Sequence, residues 1–149
     1  MRTGPGPSIE IPRACLGAAF AALMASACSP PPHAAVVACT GTNVMDYHVE
    51  KDCTVTVERF KQSTTATIQT DTRKRKAVVT GQFTVREGTV RVELRSSAGS
   101  AAEAVISPGN PGTVEGTLPL RRHNNDIHIR FHPEGEAVGV EGSVHFEAR

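Results

Sequence analysis

Valine recurs at every second position through much of this chain, while leucine is almost missing. From Cys28 onward there are 16 Val and only three Leu (Leu94, Leu118 and Leu120). β-Branched side chains fit a pleated, half-buried surface and lose rotamer freedom in a helix. A chain so composed is confined to strands, and no stretch of it carries a helical period. The alternation is clearest at Thr80–Arg95, where Gly81, Phe83 and Val85 alternate with Gln82, Thr84 and Arg86. Beyond Glu87-Gly88, Val90, Val92 and Leu94 alternate with Arg91, Glu93 and Arg95. With Glu87-Gly88 as a two-residue primed turn, Val85 opposes Val90 and Phe83 opposes Val92, so the pattern predicts a hairpin. A second hairpin is predicted from Ile127, Ile129 and Phe131, a turn at Pro133–Glu136, and Val138, Val140, Val144 and Phe146. That pairing would set Glu141 beside His128 or Arg130.

Weaker strands read as Cys53–Phe60, Thr64–Thr70, Ala101–Ile106 and Thr113–Leu120, separated by turn residues at 61–63, 96–100 and 107–112. Val36–Asp52 reads as an irregular cap or edge segment. The expectation is an all-β fold, an antiparallel β-sandwich of about seven to eight short strands, with a small up-and-down meander barrel as the alternative. The interior face is thin in large side chains, which favours the sandwich over a ligand-holding barrel.

The first 27 residues have a different character. Met1–Arg13 is weakly basic, Ala14–Ala25 is uncharged and Ala-rich, and small residues follow up to Cys28. Twelve apolar residues are too few to span a bilayer, which takes about 20, so this is the pattern of a secretory signal peptide. Residues 1–27 would be removed, 28–35 would form a Pro-rich tether, and 36–149 a single β domain. Cleavage also removes Arg2, Arg13 and Glu10, leaving 14 Lys and Arg against 14 Asp and Glu. A neutral chain of this kind is not expected to bind nucleic acid. With 4% aromatics and no Trp it offers few stacking platforms for bases or sugars.

Ala25-Ser26-Ala27-Cys28 resembles the lipobox of bacterial lipoproteins, with Ala25 where the pattern favours Leu. The resemblance covers only the first ~30 residues; the β domain resembles no named family. It implies a diacylglycerol on Cys28, a membrane partner held through that lipid, and, with Ser29 after the Cys, release to the outer membrane of a Gram-negative cell. A periplasmic or secreted protein is the alternative. Lipid on Cys28 also leaves Cys39 and Cys53 as an even pair. Their disulfide would close a loop of about 15 residues, worth roughly 3 kcal/mol.

Candidate sites are sparse. His123, His128 and His132 have metal-like spacing on a helix, but on a strand His128 and His132 stand about 13 Å apart. They read as solvent-face histidines, and His123 and His128 remain the candidates for a metal. Met45, Asp46, Tyr47 and His48 mix ligand types that copper accepts. Arg73-Lys74-Arg75-Lys76 is either a solvated loop or a contact for anionic head groups. No hydrolase or phosphate-binding motif is present, so no catalytic residue, enzyme activity or cofactor is expected. The reading is a cell-envelope lipoprotein whose β domain binds an envelope component or plays a structural part. A metal-handling protein, or a hydrolase with converging His and carboxylates, is the alternative.

Overall fold

The computed structural model describes residues 30–45, 47–123 and 125–149, and every regular element among them is a strand. The seven strands are β1 (Val36–Val44), β2 (His48–Phe60), β3 (Thr64–Ile68), β4 (Lys76–Ser96), β5 (Gly99–Ile106), β6 (Gly112–Pro119) and β7 (Ile127–Ala148). All pairings are antiparallel and belong to one open sheet, in the order β1-β2-β7-β4-β5, with β3 on β7 and β6 on β4.

Both predicted hairpins are absent. Glu87-Gly88 and Pro133–Glu136 lie inside single strands of 21 and 22 residues, β4 and β7, which pair with each other along their lengths. Val85 faces Val140, Val90 faces Pro133, and Val92 faces Phe131. Glu141 consequently stands opposite Thr84 and Thr56, away from His128 and Arg130. Segment 36–52, expected as an irregular cap or edge segment, is regular: it forms the edge strand β1 and the start of β2, with Val44 opposite His48.

The two long strands bend together. In β4 the buried positions run Ala77, Val79, Phe83, Val85 and then Val90, Val92, Leu94, so the parity changes once. In β7 it changes between Phe131 and Val138. Each change is a bulge: the register slips between Glu87 and Thr89, and Gly88, Gly135 and Gly139 take positive φ of 87°, 79° and 69°. An extra residue keeps the apolar face inward while it bends the strand, which lets one strand serve two layers.

The bend creates the sandwich. One leaf contains β1, β2, residues 137–148 of β7, residues 76–87 of β4, and β6. The other contains β3, residues 127–134 of β7, residues 89–96 of β4, and β5. Phe83 lies nine residues from Val92, the partner of Phe131, or about 30 Å along a flat strand. Yet the Phe83 and Phe131 rings are 5.6 Å apart at 74°, and Phe60 meets Phe131 at 6.5 Å. Only folded leaves allow that. The apolar side chains of both leaves form one core, as the sandwich expectation requires.

The fold-back gives the domain two unlike ends. The closed end holds the bends of β4 and β7 and the β2–β3 turn. The open end gathers the β1–β2 tip and segments 69–75 and 120–126. Along β7, Val138 at the closed end and Ala148 at the open end are ten residues apart, about 33 Å.

Candidate functional site

Cys39 and Cys53 are directly opposite on β1 and β2, 4.0 Å apart at Cα, and joined by the expected disulfide. The bond ties the edge strand β1 to the core, where the Cys53 side is buried. Cys28 and residues 1–27 lie outside the described residues.

The histidines are dispersed. His128 lies 3.2 Å through Nδ1 from the Thr67 hydroxyl. His132 lies 3.0 Å from the Ser63 hydroxyl and, through Nε2, 3.1 Å from Glu93 Oε2. His123 is exposed in the 120–126 segment. His145 belongs to the opposite leaf because β7 does not turn at Pro133–Glu136. There its Nδ1 is 2.9 Å from Asp52 Oδ1 and its Nε2 is 3.3 Å from Glu50 Oε1, while His48 lies 2.8 Å from Glu50 Oε2. This row braces β2 to β7 on a half-exposed face, where such pairs contribute about 0–1 kcal/mol each. Among the described residues no three His, Cys, Asp or Glu side chains converge to hold a metal. The row borders a shallow groove of about 420 Å³ lined by short polar side chains, including Thr40, Thr54, Thr80, Gln82 and Ser143.

Among the described residues Glu93 is the one buried carboxylate, and its pKa is lowered. The His132 hydrogen bond is the main cause, helped by Ser100 and Arg95 and opposed by burial.

The open end concentrates what remains of the candidate residues. Arg73–Lys76 and the β1–β2 tip, distant in sequence, are laced together there. Lys74 Nζ donates to the Tyr47 carbonyl at 3.0 Å, and the Asn43 amide donates to the Asp71 carbonyl at 3.0 Å. Segment 120–126 joins them: Leu120 N–H donates to the Arg75 carbonyl at 2.7 Å, the Thr70 hydroxyl donates to the Asn125 carbonyl at 2.8 Å, and the Asn125 amide donates to the Thr72 carbonyl. Thr70 and Thr72 are buried, so the loops rest on satisfied polar anchors. Arg121 and Arg122, which the sequence did not single out, thereby join Arg73, Lys74, Arg75 and Lys76. Segments 69–76 and 120–126 together carry six Lys and Arg against two carboxylates, Asp71 and Asp126, and the tip's sequence adds a third, Asp46. Asp71 is engaged by Lys51 at 2.6 Å.

Among the described residues of the tip, the large apolar side chains are exposed. Val44, Met45 and Tyr47 are 58%, 91% and 86% exposed. Met45 has a φ of 48°, where Gly or Asn is the usual occupant.

No protein-family model and no curated protein matches this chain. Among solved structures it is similar to the enzymatically active domain of bacteriophage CBA120 tailspike protein 4, at 14% identity over 78% of this chain and 19% of that one, TM-score 0.37. It is also similar to the C-terminal CBM6 of LamC, a marine laminarinase from Zobellia galactanivorans, at 9% identity over 62% of this chain and 78% of that one, TM-score 0.29. Superpositions this loose assign no function.

Proposed function

We propose that this chain is a bacterial cell-envelope lipoprotein, cleaved before Cys28, acylated on that Cys, and carried to the outer membrane, with its β domain serving as a binding module. The observation that carries the binding role is the placement of the tether. Arg59 N–H donates to the Pro32 carbonyl at 3.0 Å, and Arg59 stands opposite Val138 at the closed end. Only four residues separate Cys28 from Pro32, a reach of at most about 14 Å. An anchor on Cys28 would therefore hold the closed end near its bilayer and leave the loops of the open end available to a partner.

Mass spectrometry of the N-terminal peptide tests the anchor: a diacylglycerol-modified Cys28 is expected, and an unmodified Cys28 refutes it. A photocrosslinking residue at Arg122 should capture an envelope component in cells, and one at Glu134 should not. Equal capture at both positions would refute the assignment of binding to the open end.

A further inference from the structure

The open end has a composition that suits one class of partner. We infer that it docks on an anionic lipid bilayer, with Val44, Met45 and Tyr47 entering the interfacial region and Arg73, Lys74, Arg75, Lys76, Arg121 and Arg122 lying over the lipid phosphates. This deepens the binding role proposed above and rests on the same end of the molecule. With lipid on Cys28 the surface met is a second bilayer, facing the one that holds the closed end; the inference itself does not depend on that lipid.

Two independent observations meet here. Three outward apolar side chains crown the β1–β2 tip, where none of the described residues covers them. An amphipathic Tyr and long apolar side chains suit the boundary between head groups and acyl chains. Beside them, six cations outnumber three carboxylates, Asp71, Asp126 and Asp46 of the tip's own sequence. Each Lys or Arg close to an anionic leaflet raises partition by about fivefold, over roughly a Debye length. A soluble polyanion would engage the cations but has no use for the tip. A neutral bilayer would accept the tip but gain nothing from the cations. Only an anionic bilayer uses both.

The supporting hydrogen bonds explain why the two features stay together. Lys74 holds the Tyr47 carbonyl, so the basic segment and the tip are one body. Asn125 and Thr70 hold segment 120–126 to segment 70–72, which brings Arg121 and Arg122 alongside. Each bond ends on a main-chain carbonyl and starts from Lys74, Asn125 or Thr70, so the other exposed cations can be changed without removing the scaffold.

The test uses the full exported protein carrying Cys28→Ala, which removes the acyl group and leaves the open end intact. Co-sedimentation is measured with vesicles of phosphatidylcholine alone and with about 30% phosphatidylglycerol added to supply a negative surface. Binding to the anionic vesicles is expected to exceed binding to neutral ones by at least about tenfold and to fall with salt. R75Q/K76Q/R121Q/R122Q, which keeps Lys74 on the Tyr47 carbonyl, should lower it about tenfold or more, and M45S/Y47S should lower it several-fold at unchanged salt dependence. Equal binding to both vesicle types overturns the inference. So does binding that needs the four cations but ignores M45S/Y47S, because that is the behaviour of a general polyanion site. Retention of the Cys39–Cys53 disulfide and of the unfolding midpoint confirms that each variant is folded. An unmodified Cys28 in the mass-spectrometric test would remove the anchor and leave this result standing.

Discussion

The closed and open ends of this sandwich are built from different materials. At the closed end the chain bends on glycines, and three phenylalanines from both leaves meet beneath the bend. Its charges nearly balance: Glu58, Glu87, Glu134 and Glu136 lie among Arg59, Lys61 and Arg86, and Glu136 pairs with both Arg59 and Lys61. At the open end side chains tie loops together through main-chain carbonyls, and the cations are in excess. One end carries cohesion and the other carries surface. A chain with almost no net charge is thus polarised, which a sum over residues conceals.

The comparison can be broken most severely at the closed end. Phe131→Ala removes the ring that touches both Phe60 and Phe83, and should cost about 3–5 kcal/mol in chemical denaturation. Cys39→Ser with Cys53→Ser frees β1 from the core and should cost about 3 kcal/mol, matched by adding a reductant to the unaltered protein. Gly88→Ala places a Cβ 2.5 Å from the Glu136 carbonyl oxygen at a φ of 87°. It should cost about 2 kcal/mol. Gly109→Ala has a similar φ of 74° but open space around it, so about 1 kcal/mol is expected. Equal losses at the two glycines would mean that the close approach at the bend contributes nothing.

Smaller effects separate the ends further. Glu93 has a folded pKa below its ordinary value of 4.5. Its ionised form therefore contributes stability above that pH, and the contribution is lost as pH falls through the lower folded value. Glu93→Gln should flatten the acid limb of a stability–pH curve and leave the neutral region's slope unchanged; an unaltered acid limb contradicts this. At the open end M45S/Y47S should shift folding stability by no more than about 0.5 kcal/mol, whatever it does to vesicle binding.

The sequence revealed the sandwich but not its construction, and the reason is specific. A two-residue hairpin turn at Glu87-Gly88 and a bulged bend at Gly88 each need a positive-φ glycine, and each leaves Val85 and Val90 facing the core. The apolar pattern is identical in the two cases. What decides between them is the partner: β7 carries a matching irregularity at Gly135–Gly139, fifty residues away in the chain. The same degeneracy applied to Pro133–Glu136. The disulfide was legible because Cys39 and Cys53 were the even pair left after Cys28. The open-end surface was legible only in pieces. Arg73–Lys76 stood out as a charge run and Met45–His48 as an unusual cluster, but they are joined by Lys74 reaching the Tyr47 carbonyl, a contact between loops that no local pattern encodes. Arg121 and Arg122 entered for the same reason.

Tyr47 is the chain's single Tyr and there is no Trp, so its emission reports on the tip alone. In the Cys28→Ala protein bound to anionic vesicles, acyl chains bearing nitroxide quenchers should quench Tyr47, and R75Q/K76Q/R121Q/R122Q should abolish that quenching at the same lipid concentration. Full Tyr47 emission from protein bound at saturation would place the tip outside the bilayer and contradict the assignment of the open end.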